Sequence, residues 1–190
     1  MRSNSSDTVR WPELAGLFLA SFASLLFQIT LTKIFEFTVW SNYAYLIIGT
    51  AILGIGFSGV ILVRWPRLLR IRPSTFLPAC AAASAVAMFL TLFLINAVPI
   101  HLPQAPDGWG RELLNVLMVY AGLAVPFAFL GFLVGYLLDQ RGKAANVYYG
   151  ADLLGAGLGS LALVVLIGPI EPQGCVLLCS LLALAAAFCF

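Results

Sequence analysis

Six long apolar runs, separated by short polar stretches, organise this chain. They extend over about Leu14–Phe35, Tyr43–Val63, Phe76–Val98, Leu113–Leu138, Val147–Ile167 and Cys175–Phe190. A bilayer crossing needs roughly 20 apolar residues at 1.5 Å rise per residue. The first five runs meet that length. The sixth holds sixteen residues and stops without a polar flank, so the chain is expected to continue beyond Phe190. The predicted fold is all-α: a polytopic membrane helix bundle with six transmembrane helices, forming a single domain over 1–190. No connecting segment is long enough for a separate soluble domain.

The basic residues fall on alternate sides of these runs. Arg2 and Arg10 precede the first; Arg64, Arg67, Arg70 and Arg72 follow the second; Arg141 and Lys143 follow the fourth. Only Lys33 and Arg111 lie on the other side. The positive-inside rule then predicts a cytoplasmic N-terminus and, after six crossings, a cytoplasmic C-terminus. Trp11, Trp40, Trp65 and Trp109 sit at predicted span ends, where interfacial aromatics belong. The first run reads as a retained helix, being about twice the length of a signal-peptide core and lacking a small-residue cleavage site.

Composition agrees with lipid as the solvent. The chain is 62% hydrophobic and 9% charged, against about 25% charged in a soluble domain. No basic face of a nucleic-acid binder is present.

Polar residues inside the runs are the candidate chemistry, because each is costly in lipid unless partnered. In the first run, Ser21, Ser24, Gln28, Thr32 and Glu36 share a stripe about 120° wide, with Gln28, Thr32 and Glu36 four residues apart. This stripe is either helix–helix glue or a polar pocket, and Lys33 is expected to point away from it and snorkel outward. In the second run, Asn42, Tyr45, Gly49 and Gly56 lie on one narrow face, which predicts a packing seam with a polar outer end. Asp152 is the sharpest residue, about 8 Å into the fifth run by helix rise. It shares a stripe with Tyr148, Gly155 and Gly159, and a tyrosine hydroxyl, water, Arg141 or Lys143 is expected to compensate it. A structural anchor and a substrate or proton role both remain open for it.

Gly131 and Gly135 in the fourth run, and Gly155 and Gly159 in the fifth, have G-x-x-x-G spacing and are candidate helix-packing grooves. Ala124 and Ala128 extend the first groove and Ala162 the second, while Pro126 is expected to kink the fourth helix. Cys80, Cys175, Cys179 and Cys189 read as small packing residues. With His101 as the single histidine, no metal set is predicted. The same scarcity disfavours haem, and no cofactor is expected on this chain.

Two segments carry a resemblance. The run from Phe18 through Gly59, and Tyr149-Gly150-Ala151-Asp152-Leu153-Leu154-Gly155-Ala156-Gly157-Leu158-Gly159, resemble the transmembrane region of the membrane-bound spermidine synthase-like proteins. That family has a first helix with a Glu and, five residues on, an Arg, then an aromatic- and glycine-rich second helix. A Tyr-x-Ala-Asp/Asn-Leu-x-Gly-Ala-x-x-Gly helix follows later. Here Gln28 stands at the Glu position, Lys33 at the Arg position, and Ser41 and Asn42 where many members have Tyr-His. The resemblance implies a bacterial cytoplasmic (inner) membrane protein. It also implies a cytoplasmic α/β domain, similar to aminopropyltransferases and S-adenosylmethionine-dependent methyltransferases, as partner or continuation.

The residues present have no nucleophile–base pair, no paired carboxylates at one depth and no glycine-rich nucleotide turn, so the isolated chain is not expected to be catalytic. Three functions are consistent with the sequence. They are the membrane domain of a spermidine synthase-like enzyme, a structural subunit docking other membrane helices, and a small transporter or channel. The expected partners are the lipid bilayer and either other membrane helices or the α/β domain, with no nucleic acid.

Overall fold

The computed structural model describes residues 9–38, 44–97 and 109–190. All six long elements are helices: α1 Trp11–Thr38, α2 Ala44–Arg64, α3 Pro73–Ala97, α4 Trp109–Gln140, α5 Ala145–Leu166 and α6 Pro172–Cys189. Each is long and apolar enough to cross a membrane. No strand occurs among the described residues. Every helix begins before its apolar run does, or ends after it. Hydropathy marks only the lipid-facing core, whereas backbone hydrogen bonding carries a helix on into the interfacial layer. Pro73 and Pro172 occupy first helical positions, where a missing N–H costs nothing. With that start, α6 reaches 18 residues. Helix α4 runs on through buried Pro126 to Gln140.

Helix α1 is the centre of the bundle. It packs against α5, α6, α2 and α4, and Leu17, Ala20, Ala23, Leu26, Phe27 and Leu31 are fully buried on it. A helix enclosed on most sides needs apolar residues all round, which is why α1 shows little sidedness. Around it, α2 packs on α4, α4 on α3, and α3 on α6.

Contact order gives the directions. Gly155 and Gly159 of α5 meet Phe18 and Phe22 of α1, so these helices run parallel. Gly54, Ser58 and Leu62 of α2 meet Phe127, Gly131 and Gly135 of α4, also in parallel. Helices α3 and α4 are antiparallel, with the tilted rings of Phe76 and Tyr136 centred 4.7 Å apart at one end and Leu94 against Gly122 at the other. Phe190 returns to the start of α1, its ring over Gly16.

The glycine positions of α2 differ from the sequence expectation. Gly49 and Gly56 face outward with open space before them. The seam runs instead through Ile47, Thr50, Ala51, Gly54, Ser58 and Leu62, all buried. A Cβ on Gly54 would meet the Ala124 carbonyl oxygen at 2.5 Å. Composition places a small residue on both faces of α2, and only the shape of α4 selects between them.

The outer faces are strongly apolar. Ile52, Val60, Leu90, Phe93, Leu154, Leu161, Val164 and Phe188 are all exposed. In water such a surface would drive association; in lipid it is the normal boundary.

Candidate functional site

The polar side chains gather along the α1–α5 seam in two places. At the start of α1, Glu13 is buried with the side chains of Arg141 and Tyr148. Arg141 Nη2 donates to Glu13 Oε1, and the Tyr148 hydroxyl donates to Glu13 Oε2 over 3.1 Å. The Arg10 backbone N–H donates to the Tyr148 oxygen at 3.2 Å, and the Arg10 guanidinium lies 3.6 Å from Glu13 at the solvent edge. The Arg141 guanidinium also sits 5.9 Å from the centre of the Tyr148 ring, within cation–π reach.

Local sequence builds this latch. Gly142 adopts φ +42° just after α4, a left-handed conformation that favours glycine. The turn leads through a 3-10 segment, Gly142–Ala144, directly into α5. Arg141 is thereby left at the turn, one end of α4, with Tyr148 in the first two turns of α5. Glu13 lies in the first turn of α1, where the helix dipole favours a carboxylate.

Further along the same seam, Ser21 Oγ donates to Asp152 Oδ1. Glu13 and Ser21 are about 12 Å apart along α1 by helix rise. Between and beyond them the backbones touch closely. A Cβ on Gly155 would lie 2.4 Å from the Phe18 carbonyl oxygen, and one on Gly159 would lie 2.3 Å from that of Phe22. On the opposite flank, a Cβ on Gly131 would meet Ser58 Oγ at 2.2 Å and one on Gly135 would meet Leu62 at 2.8 Å.

Several residues take partners other than those expected. Asp152 is held by Ser21 of α1, whereas Tyr148 and Arg141 are committed to Glu13. Lys33 does not turn away from the α1 stripe; its Nζ pairs with Glu36 at 2.8 Å, one helical turn on, with both side chains partly exposed. Three positions on a helix lie about 60° apart, close enough for two long side chains to meet. Thr32 Oγ1 donates to the Gln28 carbonyl of its own helix at 3.0 Å, and half-buried Gln28 completes that ladder. Asn42 lies outside the described residues; Tyr45 belongs to α2, with its side chain outside them.

Sequence reasoning missed Glu13. It stands one residue outside the apolar run and reads there as an ordinary polar flank. The available signal was an acidic residue in the first turn of a helix, three positions after Arg10. Its main partner is 128 residues away, which no local pattern reveals.

The polar groups of the seam are engaged with one another. Both Glu13 oxygens are occupied, and Asp152 accepts from a serine. Among the described residues no group of three or more His, Cys, Asp or Glu side chains could hold a metal. Cys80, Cys175 and Cys179 are buried free thiols within the packing core. An apolar cleft of about 400 Å³ between α3 and α4 is lined by Leu90, Phe93, Leu94 and Val125. Its Thr91 hydroxyl is turned back onto the Ala87 carbonyl at 2.9 Å. Comparison with family models, with curated proteins and with solved structures finds no match to this chain.

Proposed function

We propose that this chain is the membrane domain of a spermidine synthase-like protein. It anchors at the bilayer a cytoplasmic α/β domain that transfers groups derived from S-adenosylmethionine. That domain is supplied by a continuation of the chain or by a partner. One observation carries the reading: the two segments that bear the resemblance form a single structural unit. The Tyr149–Gly159 run of α5 seats on Phe18 and Phe22 of α1, and Ser21 holds Asp152. The orientation is taken from charge. Arg10, Arg64, Arg67, Arg70, Arg72, Arg141 and Lys143 flank one end of the bundle, against Lys33 and Arg111 at the other, and the positive-inside rule assigns the first end to the cytoplasm. The bacterial inner membrane is what the resemblance implies.

The test is purification of the tagged chain from its own membranes in mild detergent, followed by mass spectrometry and an assay of polyamine formation and methyl transfer. The expected result is an α/β cofactor-binding polypeptide joined to, or held by, the chain, with activity only when it is present. Robust turnover by the isolated 190 residues would overturn the anchoring role.

A second reading, a structural subunit of a larger membrane complex, is favoured by α5. This helix is held chiefly by α1, and its outer face exposes Leu153, Leu154, Leu158 and Leu161 beside Gly157, which has open space before it. Recovery of a stable assembly containing only other membrane helices would select this reading over the first.

A further inference from the structure

The connection between α2 and α3 carries four arginines in nine residues, Arg64, Arg67, Arg70 and Arg72, all exposed. None forms an ion pair among the described residues, where the pairs present are Arg10–Glu13, Lys33–Glu36 and Arg141–Glu13. The segment is nevertheless fixed in place. A short 3-10 turn spans Leu68–Arg70, the Tyr136 hydroxyl donates to the Ile71 carbonyl at 2.6 Å, and Gln140 Nε2 donates to the Leu69 carbonyl at 2.9 Å. The backbone around Arg70 and Arg72 is therefore pinned to α4, Arg64 ends α2, and no ion pair among the described residues compensates the four charges.

An independent feature adjoins them. On the outer face of α2, Gly59, Val60, Val63 and Arg64 line a shallow, wide-open groove on that one helix. Gly59 contributes no side chain there, and nothing stands within 4 Å of where one would begin, so this face of α2 is open to lipid. It is apolar along α2 and cationic where it ends, at Arg64. Trp65, exposed beside that end, marks the depth of lipid headgroups.

We propose that this groove and the arginines below it form a binding site for an anionic phospholipid. An acyl chain lies along Gly59, Val60 and Val63, and the headgroup phosphate meets Arg64 and Arg67. A guanidinium matches a phosphate with two parallel N–H donors, and clustered arginines beside a membrane helix favour anionic over zwitterionic headgroups. An acidic protein face would satisfy the same charge but leave the groove unfilled, so the lipid accounts for both features.

Native mass spectrometry of the purified chain, titrated with phosphatidylglycerol or phosphatidylcholine, tests this. Phosphatidylglycerol is expected to be retained more strongly, with a loss of roughly fivefold per arginine in the R64Q and R67Q variants. Gly59→Leu fills the groove at a site open to lipid, so it should weaken retention while helical content by circular dichroism stays unchanged. Inorganic phosphate at equal concentration should not displace the lipid. Equal retention of the two lipids, displacement by inorganic phosphate, or unchanged retention in the double arginine variant would each overturn the proposal. So would release of a co-purifying acidic protein by that variant with lipid retention intact. These outcomes do not depend on whether an α/β domain is found.

Discussion

Gly155 and Gly157 are two residues apart on α5 and have opposite surroundings. The first rests on the Phe18 carbonyl, while the second faces open space. Gly155→Ala should therefore cost about 1–3 kcal/mol through overpacking, whereas Gly157→Ala should be neutral or stabilise α5 by up to about 1 kcal/mol. Thermal unfolding of the two variants in detergent compares them directly, and equal shifts would show that the seam does not bear on Gly155. Glu13 is governed by charge. Removing it leaves the Arg141 guanidinium buried and unpaired, and Glu13→Gln should cost about 3–5 kcal/mol. Replacing both residues, as Glu13→Gln with Arg141→Met, should cost less than the sum of the single losses. A strictly additive double variant would mean the two side chains do not support one another. The glycine contrast follows the G-x-x-x-G spacing, whereas the Glu13 pairing is not visible locally in the sequence, because its main partner is 128 residues away.

At the scale of elements, α1 and α5 form a parallel pair joined by glycine contacts and two polar links. Asp152→Asn keeps an oxygen for Ser21 to donate to and loses only the charge, so the pair should persist with a loss of about 1 kcal/mol. Unfolding measured in detergent at neutral pH would detect a larger effect, which would assign the ionised carboxylate a role beyond accepting that bond. The helices themselves were legible from hydropathy, and the G-x-x-x-G spacing singled out Gly131, Gly135, Gly155 and Gly159. The seam of α2 was not legible. Gly49, Gly54, Gly56 and Gly59 are spread around that helix, and only Gly54 is pressed against a neighbour. Lys33 illustrates the same limit: its direction from Cα suggested separation from the polar stripe, yet side-chain length brings it to Glu36.

At the scale of the molecule, the charge asymmetry between the two ends predicts how the bundle is oriented. Ser74, exposed at the start of α3, and Glu171, exposed just before α6, lie at opposite ends. In intact cells, a membrane-impermeant maleimide should label a Glu171→Cys variant. A Ser74→Cys variant should react only after permeabilisation. The reverse pattern would invert the topology and, with it, the site proposed for a cytoplasmic domain.

The amino-acid sequence alone determined that the chain has six apolar runs, five of them long enough to cross a membrane, and on which side of those runs most of the arginines fall. Those properties depend on composition averaged over about twenty neighbouring residues, so they need no knowledge of what packs where. Tertiary structure alone decided that α1 is central, that α5 is its parallel neighbour, and that Glu13, Arg141 and Tyr148 meet. In lipid the outside of a helix is as apolar as its buried side, so polarity no longer marks the inward face. Close fit between backbones and small residues selects the partner instead, and that fit exists only once the helices are assembled.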